Sequence, residues 1–308
     1  MIHNAAFKAY RLTPTVLVIN EYADIYDEKP LIYAKLVPSV NTIVVLDTGC
    51  GGATNDVQIE VKSLRKFIET VPVEDNDNKP LNPNGSMRYL VVLSHCHYDH
   101  ILGVEQLAAD SPVIASGNDP SFLSPENLPA HSMCLDIGIG TPKYNPVLVE
   151  HLHPLQASYP TSNYSLNSPL GLVVLHTPGH TPDELALWDE SEQMLYVGDT
   201  LYEHSRIIFP AEGSIGDWMK TVDALIDLVT PFKKAKIACG HTTAGRPALD
   251  VLRSAKLFMT DVLGGKEPVK QQYTKRGEVW VEYAQKSKRF ALACPKRLVE
   301  EGKDIGSA

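Results

Sequence analysis

The sequence lacks the features that mark a membrane, secreted or nucleic-acid-coating protein. None of its 308 positions begins an uninterrupted apolar run of about 18 residues, so no segment reads as a membrane span. The opening MIHNAAFKAYRLTPT has no basic head followed by an apolar stretch, and a secretory leader is not expected. Cysteine is scarce: Cys50, Cys96, Cys134, Cys239 and Cys294 are odd in number, widely spaced and never in a Cys-x-x-Cys pair. That argues against a disulfide framework and suits reduced thiols, buried as small hydrophobes in a cytoplasmic protein. Basic charge is in deficit. Twenty-eight Lys and Arg face 37 Asp and Glu, a net charge of −9, which removes the basic footprint that sequence-independent nucleic-acid binding needs. No internal repeat appears, so solenoids and propellers are excluded.

What is present is an apolar content of 44%, enough for a substantial core in a chain of this length. Short β-branched runs predict strands at Thr15–Asn20, Thr42–Leu46, Tyr89–Leu93, Val113–Ala115 and Leu170–His176. Further strands are expected at Leu185–Trp188, Met194–Val197 and Lys236–Cys239. Helical spacing of apolar residues predicts helices over Val57–Thr70, Gly103–Ala109, Ile215–Val229 and Ala248–Leu263. Val279–Tyr283 and Arg289–Ala293 read as a terminal hairpin, followed by a loose tail from Glu300. Residues 116–168, rich in Pro, Ser and Asn, read as a long irregular insertion, which is usual for lids and binding loops. The chain is expected to form one domain over 1–308.

The chemistry gathers at strand ends. The strand at 89–93 runs into Ser94-His95-Cys96-His97-Tyr98-Asp99-His100. Other strands end at Thr177-Pro178-Gly179-His180, Gly198-Asp199-Thr200 and Gly240-His241. Imidazole and carboxylate donors without a thiolate suit a catalytic zinc, iron or manganese site better than a structural zinc. In an extended segment alternate side chains share a face, so His95 and His97 can reach one ion, with His180 as a third nitrogen. Asp99, His100 and His241 can serve a second ion, and Asp199 can bridge. Cys96 and Tyr98 alternate with these donors and should point into packing.

In order and context, Asp47, His95-x-His97-x-Asp99-His100, His180, Asp199 and His241 resemble the metal-site motifs of the metallo-β-lactamase superfamily, over roughly residues 15–263. The resemblance implies an α/β fold, a four-layer αββα sandwich. It also implies two zinc ions, one on His95, His97 and His180, the other on Asp99, His100 and His241, with Asp199 between them and Asp47 structural. Iron or manganese would suit the same donors. The matches at Thr177–Glu184 and Gly198–Ser205 are similar to a fungal lactamase branch that opens benzoxazolinone-type rings.

The implied function is a dinuclear zinc hydrolase opening a small cyclic amide or carbamate, with metal-held hydroxide attacking the carbonyl and Asp99 passing a proton to the leaving group. Tyr202, three residues after Asp199, stands where lactonases of the superfamily carry a tyrosine that hydrogen-bonds the substrate carbonyl. The competing readings are a lactonase, a glyoxalase II-like thioesterase and, from another class, a catalytically dead metal-binding scaffold. The expected partner is a small-molecule substrate, with no nucleic acid and no membrane; oligomeric state is left open. His3, His131, His151, His153, His176 and His204 fall outside the pattern and read as ordinary surface or core histidines.

Overall fold

A computed structural model describes residues 4–159 and 168–305. The chain divides into two compact units, Met1–Val174 and Leu175–Ala308.

The first unit is built on a seven-stranded sheet in the order of the chain: β1 (Lys8–Arg11), β2 (Val16–Asn20), β3 (Leu31–Val37), β4 (Thr42–Leu46), β5 (Arg88–Val92), β6 (Val113–Ser116) and β7 (Val147–Val149). The first four strands pair antiparallel, whereas β4 through β7 run parallel. Strands covered on both faces read as continuous apolar runs, and every residue of β4 is buried. Helices α1 (Leu64–Thr70), α2 (Tyr98–Ile101), α3 (Glu105–Ala108) and α4 (Leu128–His131) accompany this sheet. The main core joins Leu17, Ile19, Ile43 and Val45 of the sheet to Leu64, Phe67 and Ile68 of α1. A short strand, β8 (Pro154–Gln156), pairs antiparallel with the start of β9 (Pro169–His176).

In the second unit β10 (Leu185–Asp189) and β11 (Met194–Tyr196) form a hairpin. β12 (Arg206–Ile208) and α5 (Ile215–Val229) follow, then β13 (Lys236–Ala238), which lies parallel to β11, and its antiparallel neighbour β14 (Ala244–Pro247). After α6 (Ala248–Leu263), strands β15 (Gln271–Lys275), β16 (Glu278–Ala284) and β17 (Ala291–Pro295) make a second sheet in the order β12-β17-β16-β15. α7 (Lys296–Ile305) closes the described chain. α5 begins where Ser214 accepts the backbone N–H of Asp217, and it buries Ile215, Trp218, Val222, Leu225 and Val229 along one stripe. No helix among the described residues is long and apolar enough to cross a membrane.

The sequence-based boundaries of α5 and α6 agree with the structure, and several others do not. The helix expected from Val57 begins only at Leu64. Ahead of it, Glu60 and Val61 donate to Asn4 O and Val61 bridges to Ala5, so this stretch is extended and Val57 is 95% exposed. Long-range pairing took those backbone groups, and Ser63 caps the helix by accepting from Lys66 N. The helix expected over Gly103–Ala109 is the four-residue α3, and α2 precedes it. The insertion is less irregular than its composition suggests, because it supplies α4, β7 and β8; residues 160–167 of it lie outside the described residues. The terminal hairpin is present but is part of a four-stranded sheet. Of the tail expected to be loose from Glu300, residues 300–305 are the end of α7, and residues 306–308 lie outside the described residues.

Candidate metal centre

Parallel pairing explains where the donors of the first unit lie. β4 and β5 are in register with Leu46 opposite Val92, so the chain leaves both strands at the same edge. That is the edge where α/β sheets place their ligands. Asp47 follows β4, and its N–H donates to Val92 O at 2.8 Å. The backbone turns through a left-handed φ of +62° at Asp47, a conformation that Asp tolerates better than most residues. Its carboxylate accepts the Ser94 N–H at 2.7 Å, the Ser94 hydroxyl at 2.8 Å and His100 Nδ1 at 3.0 Å.

These bonds fix protons as well as positions. A carboxylate only accepts, so His100 carries its proton on Nδ1 and turns the Nε2 lone pair away from Asp47. The Ser94 hydroxyl spends its proton on Asp47. It therefore accepts from His95 Nδ1, 3.0 Å away, which leaves His95 Nε2 as a lone pair. His95 Nε2 lies 3.0 Å from His97 Nδ1. Ligands about 2.0–2.1 Å from a tetrahedral zinc stand about 3.3 Å apart, so this nitrogen pair is close to the spacing a shared cation needs. Asp99 Oδ2 stands 3.3 Å from His100 Nε2. His95, His97, Asp99 and His100 are all buried.

The same device recurs in the second unit. β11 and β13 are parallel with Tyr196 opposite Ala238, so Gly198-Asp199 and Gly240-His241 emerge side by side. The Gly240 N–H donates to Gly198 O at 2.6 Å. His241 Nε2 is 3.4 Å from Asp199 Oδ2. The Asp199 N–H donates to Glu184 Oε1 at 2.9 Å. His180 sits between β9 and β10 in a loop held by the Ser214 N–H, which donates to Gly179 O at 2.8 Å. Gly179 is required there: its φ is +152°, and a Cβ would meet Trp218 Cα at 2.6 Å.

The second donor set is braced by a residue that sequence reasoning missed. Glu203 is buried, and its carboxylate accepts Arg289 Nε at 2.7 Å and Arg246 Nε at 3.2 Å. No motif or spacing flagged it, because both arginines are far away in sequence. Tyr202 is buried as well. Its hydroxyl donates to Arg206 O at 3.0 Å, and its ring meets His241 edge-on at 5.2 Å.

Glu21 is the other unanticipated acid. It accepts the Cys50 and Gly52 N–H groups at 2.7 and 2.6 Å. Burial pushes its carboxyl from the ordinary 4.5 up to about 8; those two bonds oppose the rise, and the charges of Asp24 and Asp99 add to it.

Cys96 is buried with Ala115, Phe122, Leu123 and Leu128, which is the packing role expected of it. Burial raises the Cys239 thiol well above its ordinary value, which disfavours the thiolate a metal ligand would need. Trp218 and Phe209 belong to the core. Among the described residues His131, His151, His153, His176 and His204 join no group able to hold a metal. His3 lies outside the described residues. The insertion also holds an apolar groove of about 750 Å³, whose lining includes Leu123, Leu128, Tyr144 and Leu148.

The family model for the Metallo-beta-lactamase superfamily matches residues 165–241, the stretch that carries His180, Asp199 and His241. The chain is 32% identical over 324 residues to avaE of Aspergillus versicolor, covering 97% of this chain and 89% of that protein, whose name marks it as a candidate transcription factor. The chain belongs to the metallo-β-lactamase superfamily. It is also 26% identical over 204 residues to the acyl-coenzyme A thioesterase MBLAC2 of Homo sapiens, covering 64% of this chain and 68% of that enzyme. Among solved structures, a metallo-beta-lactamase family protein from Thermus thermophilus shares the fold, with a TM-score of 0.58 over 86% of each chain at 19% identity. The α/β fold class expected from the sequence is thus the one found. The donor set, imidazole nitrogens with carboxylates and no thiolate, fits a divalent metal.

Proposed function

We propose that the chain is a metal-dependent hydrolase of a small, largely uncharged cyclic amide or carbamate, of the γ-lactam or benzoxazolinone type. In this reading the chain carries a dinuclear zinc centre. His95, His97 and His180 hold one ion, Asp99, His100 and His241 the other, and Asp199 serves both. The observation that carries the reading is the Asp47–Ser94–His95 and Asp47–His100 relay, which leaves a lone pair on each imidazole. Orienting carboxylates of this kind accompany metal-bound histidines and raise their basicity.

Bound ions would supply a Lewis acid and a nucleophile drawn from water at neutral pH. The residues of the chain do the rest. Asp99 is the group for proton traffic to the departing amine, which cannot leave as an anion. Glu184 holds the backbone of Asp199, and Asp47 holds the imidazoles. For Tyr202 to donate to a substrate carbonyl, as the lactonase comparison implies, its bond to Arg206 O would have to be exchanged.

The choice of an uncharged substrate rests on charge. A coenzyme A thioester is a polyanion, and a chain of net charge −9 gives it no general attraction. The same deficit disfavours a transcription-factor role, the one in the name of the Aspergillus relative. A thioesterase is the second reading, favoured by the likeness to the human acyl-coenzyme A thioesterase. A catalytically dead scaffold is disfavoured because all seven expected donors are in the sequence.

A panel of γ-lactams, benzoxazolinone, γ-lactones, S-lactoylglutathione and an acyl-coenzyme A tests the choice on zinc-loaded protein. Ring amides or carbamates should give the highest kcat/KM. A preference of orders of magnitude for either thioester would replace this reading with the second.

A further inference from the structure

Glu203 lies outside the set of proposed metal donors, yet two of the three donor-bearing loops of the second unit, those of Asp199 and His241, are fastened to it. The backbone on either side of its carboxylate makes the first connection. The Glu203 N–H donates to Thr243 Oγ1 at 2.7 Å, and the Thr242 hydroxyl donates to Glu203 O at 2.6 Å. The loop after Asp199 is thereby bolted to the loop after His241. The carboxylate makes the second connection, to Arg246 on β14 and to Arg289 just before β17. Arg289 continues to Ser254 and Asp250 on α6, at 2.9 and 2.5 Å. It also accepts the His204 N–H through its carbonyl at 2.7 Å.

Glu203 is 2% exposed, and two guanidinium groups satisfy its buried carboxylate. A buried, doubly bonded carboxylate has one acceptable position, and its backbone then has one as well. The separation it fixes is that of Asp199 and His241, now 3.4 Å between Oδ2 and Nε2. Glu203 makes no bond to the His180 loop, which meets Asp199 instead through Glu184, the acceptor of the Asp199 N–H. That loop is held by Ser214 and packs at Trp218.

We infer that Glu203 is a positioning residue for the ion assigned to Asp99, His100 and His241: it fixes the His241 loop against the Asp199 loop and makes no bond of its own to the His180 loop. The inference rests on the dinuclear reading above. Glu203→Gln breaks the lock selectively, because an amide can accept from one arginine but turns its own N–H groups toward the other. Arg246→Leu removes one arm only, from a side chain that is half exposed.

The full chain, stripped with a chelator, is titrated with cobalt(II), whose visible bands report on each ion. Wild type should take up two equivalents. Glu203→Gln should weaken the ion assigned to His241 about 10- to 100-fold, the usual cost of losing an orienting partner, and the other, which keeps three imidazoles and shares only Asp199, by clearly less. Arg246→Leu should show the same asymmetry to a smaller degree, and it decides the matter if Glu203→Gln does not fold. A merely structural role would weaken both equivalents together, in step with Tm. That result, or two unaltered equivalents, overturns the inference.

Imidazole NMR of the metal-free protein separates this inference from the dinuclear reading. The His241 signals should shift in Glu203→Gln while those of His180 stay in place. If wild type binds only one ion, the dinuclear reading fails, and the NMR comparison still decides whether Glu203 holds His241. Unmoved His241 signals overturn it.

Discussion

Replacing Asp47 by Asn changes almost no volume and should nevertheless disable the metal centre. Asn accepts the left-handed backbone at φ +62°, so the turn is kept. Its Oδ1 can still accept the Ser94 N–H. Its amide nitrogen now faces the Ser94 hydroxyl and His100 Nδ1, where a carboxylate oxygen accepted from both. Both contacts survive only if each partner becomes an acceptor. His100 must then move its proton to Nε2, covering the lone pair a metal would use. Ser94, relieved of its bond to Asp47, can donate to His95 Nδ1 and drive the same exchange there.

Two imidazoles, which the dinuclear reading assigns to two different ions, are therefore protonated by a single isosteric change. Exchanging charge-assisted bonds for neutral ones costs roughly 1 kcal/mol per bond, so about 1–3 kcal/mol of stability should be lost. Metal affinity should fall about 10- to 100-fold for each ion. Asp47→Ala, which leaves three buried polar groups unmatched and strains the turn, should cost more stability, about 3–5 kcal/mol. Calorimetric zinc titration gives the affinities, urea unfolding the stability, and imidazole NMR the tautomers. If Asp47→Asn binds two zinc ions as tightly as wild type, or if His100 keeps its Nδ1 proton, the relay does not set the donors.

Asp99→Asn should fold normally and lose about three orders of magnitude in kcat, roughly 4 kcal/mol of transition-state stabilisation; near-native turnover would remove Asp99 from proton traffic. Glu21 gives a pH signature in metal-free protein. Its pKa rises from 4.5 to about 8 on folding, so the native state holds an extra proton between those values, and the contribution of Glu21 to stability is full below about 4.5 and is lost as pH rises through about 8. Glu21→Gln should therefore gain stability relative to wild type from pH 5 to 8, by several kcal/mol at about 1.4 kcal/mol per unit, and parallel curves in urea unfolding would contradict it. Gly179→Ala forces a Cβ to within 2.6 Å of Trp218 Cα, so α5 or the His180 loop must shift, at about 1–3 kcal/mol, with weaker zinc binding; an unchanged Tm would refute this. If the insertion shapes substrate choice, filling its groove with Leu128→Trp should alter the ratio of kcat/KM between small and bulky substrates while zinc stays bound, and an unaltered ratio would exclude that role.

The sequence by itself determined the elements whose signals are local and repeated. α5 and α6 could be read from their apolar stripes, and β4 from an unbroken β-branched run closed by Asp-Thr-Gly. It also named the candidate donors, because His and Asp at the exits of apolar strands stand out against a background of packing residues. Tertiary structure decided whatever depended on a distant partner. Val57–Thr70 has helical spacing, but at its start Asn4 and Ala5 claimed the backbone of Glu60 and Val61 for an extended pairing. β7 lies in a Pro-rich stretch with no strand signal of its own and exists because β6 offers it a parallel edge. The chain is helical up to Ile305, and Gly302 of α7 lies close enough to Leu263 and Ile215 that a Cβ there would crowd both. The protons on His95 and His100 follow from Asp47, about fifty residues earlier, and the lock at Glu203 from arginines 43 and 86 residues later. Local sequence carries periodicity and residue type; the partner that meets a side chain across the sheet edge is a property of the packed chain alone.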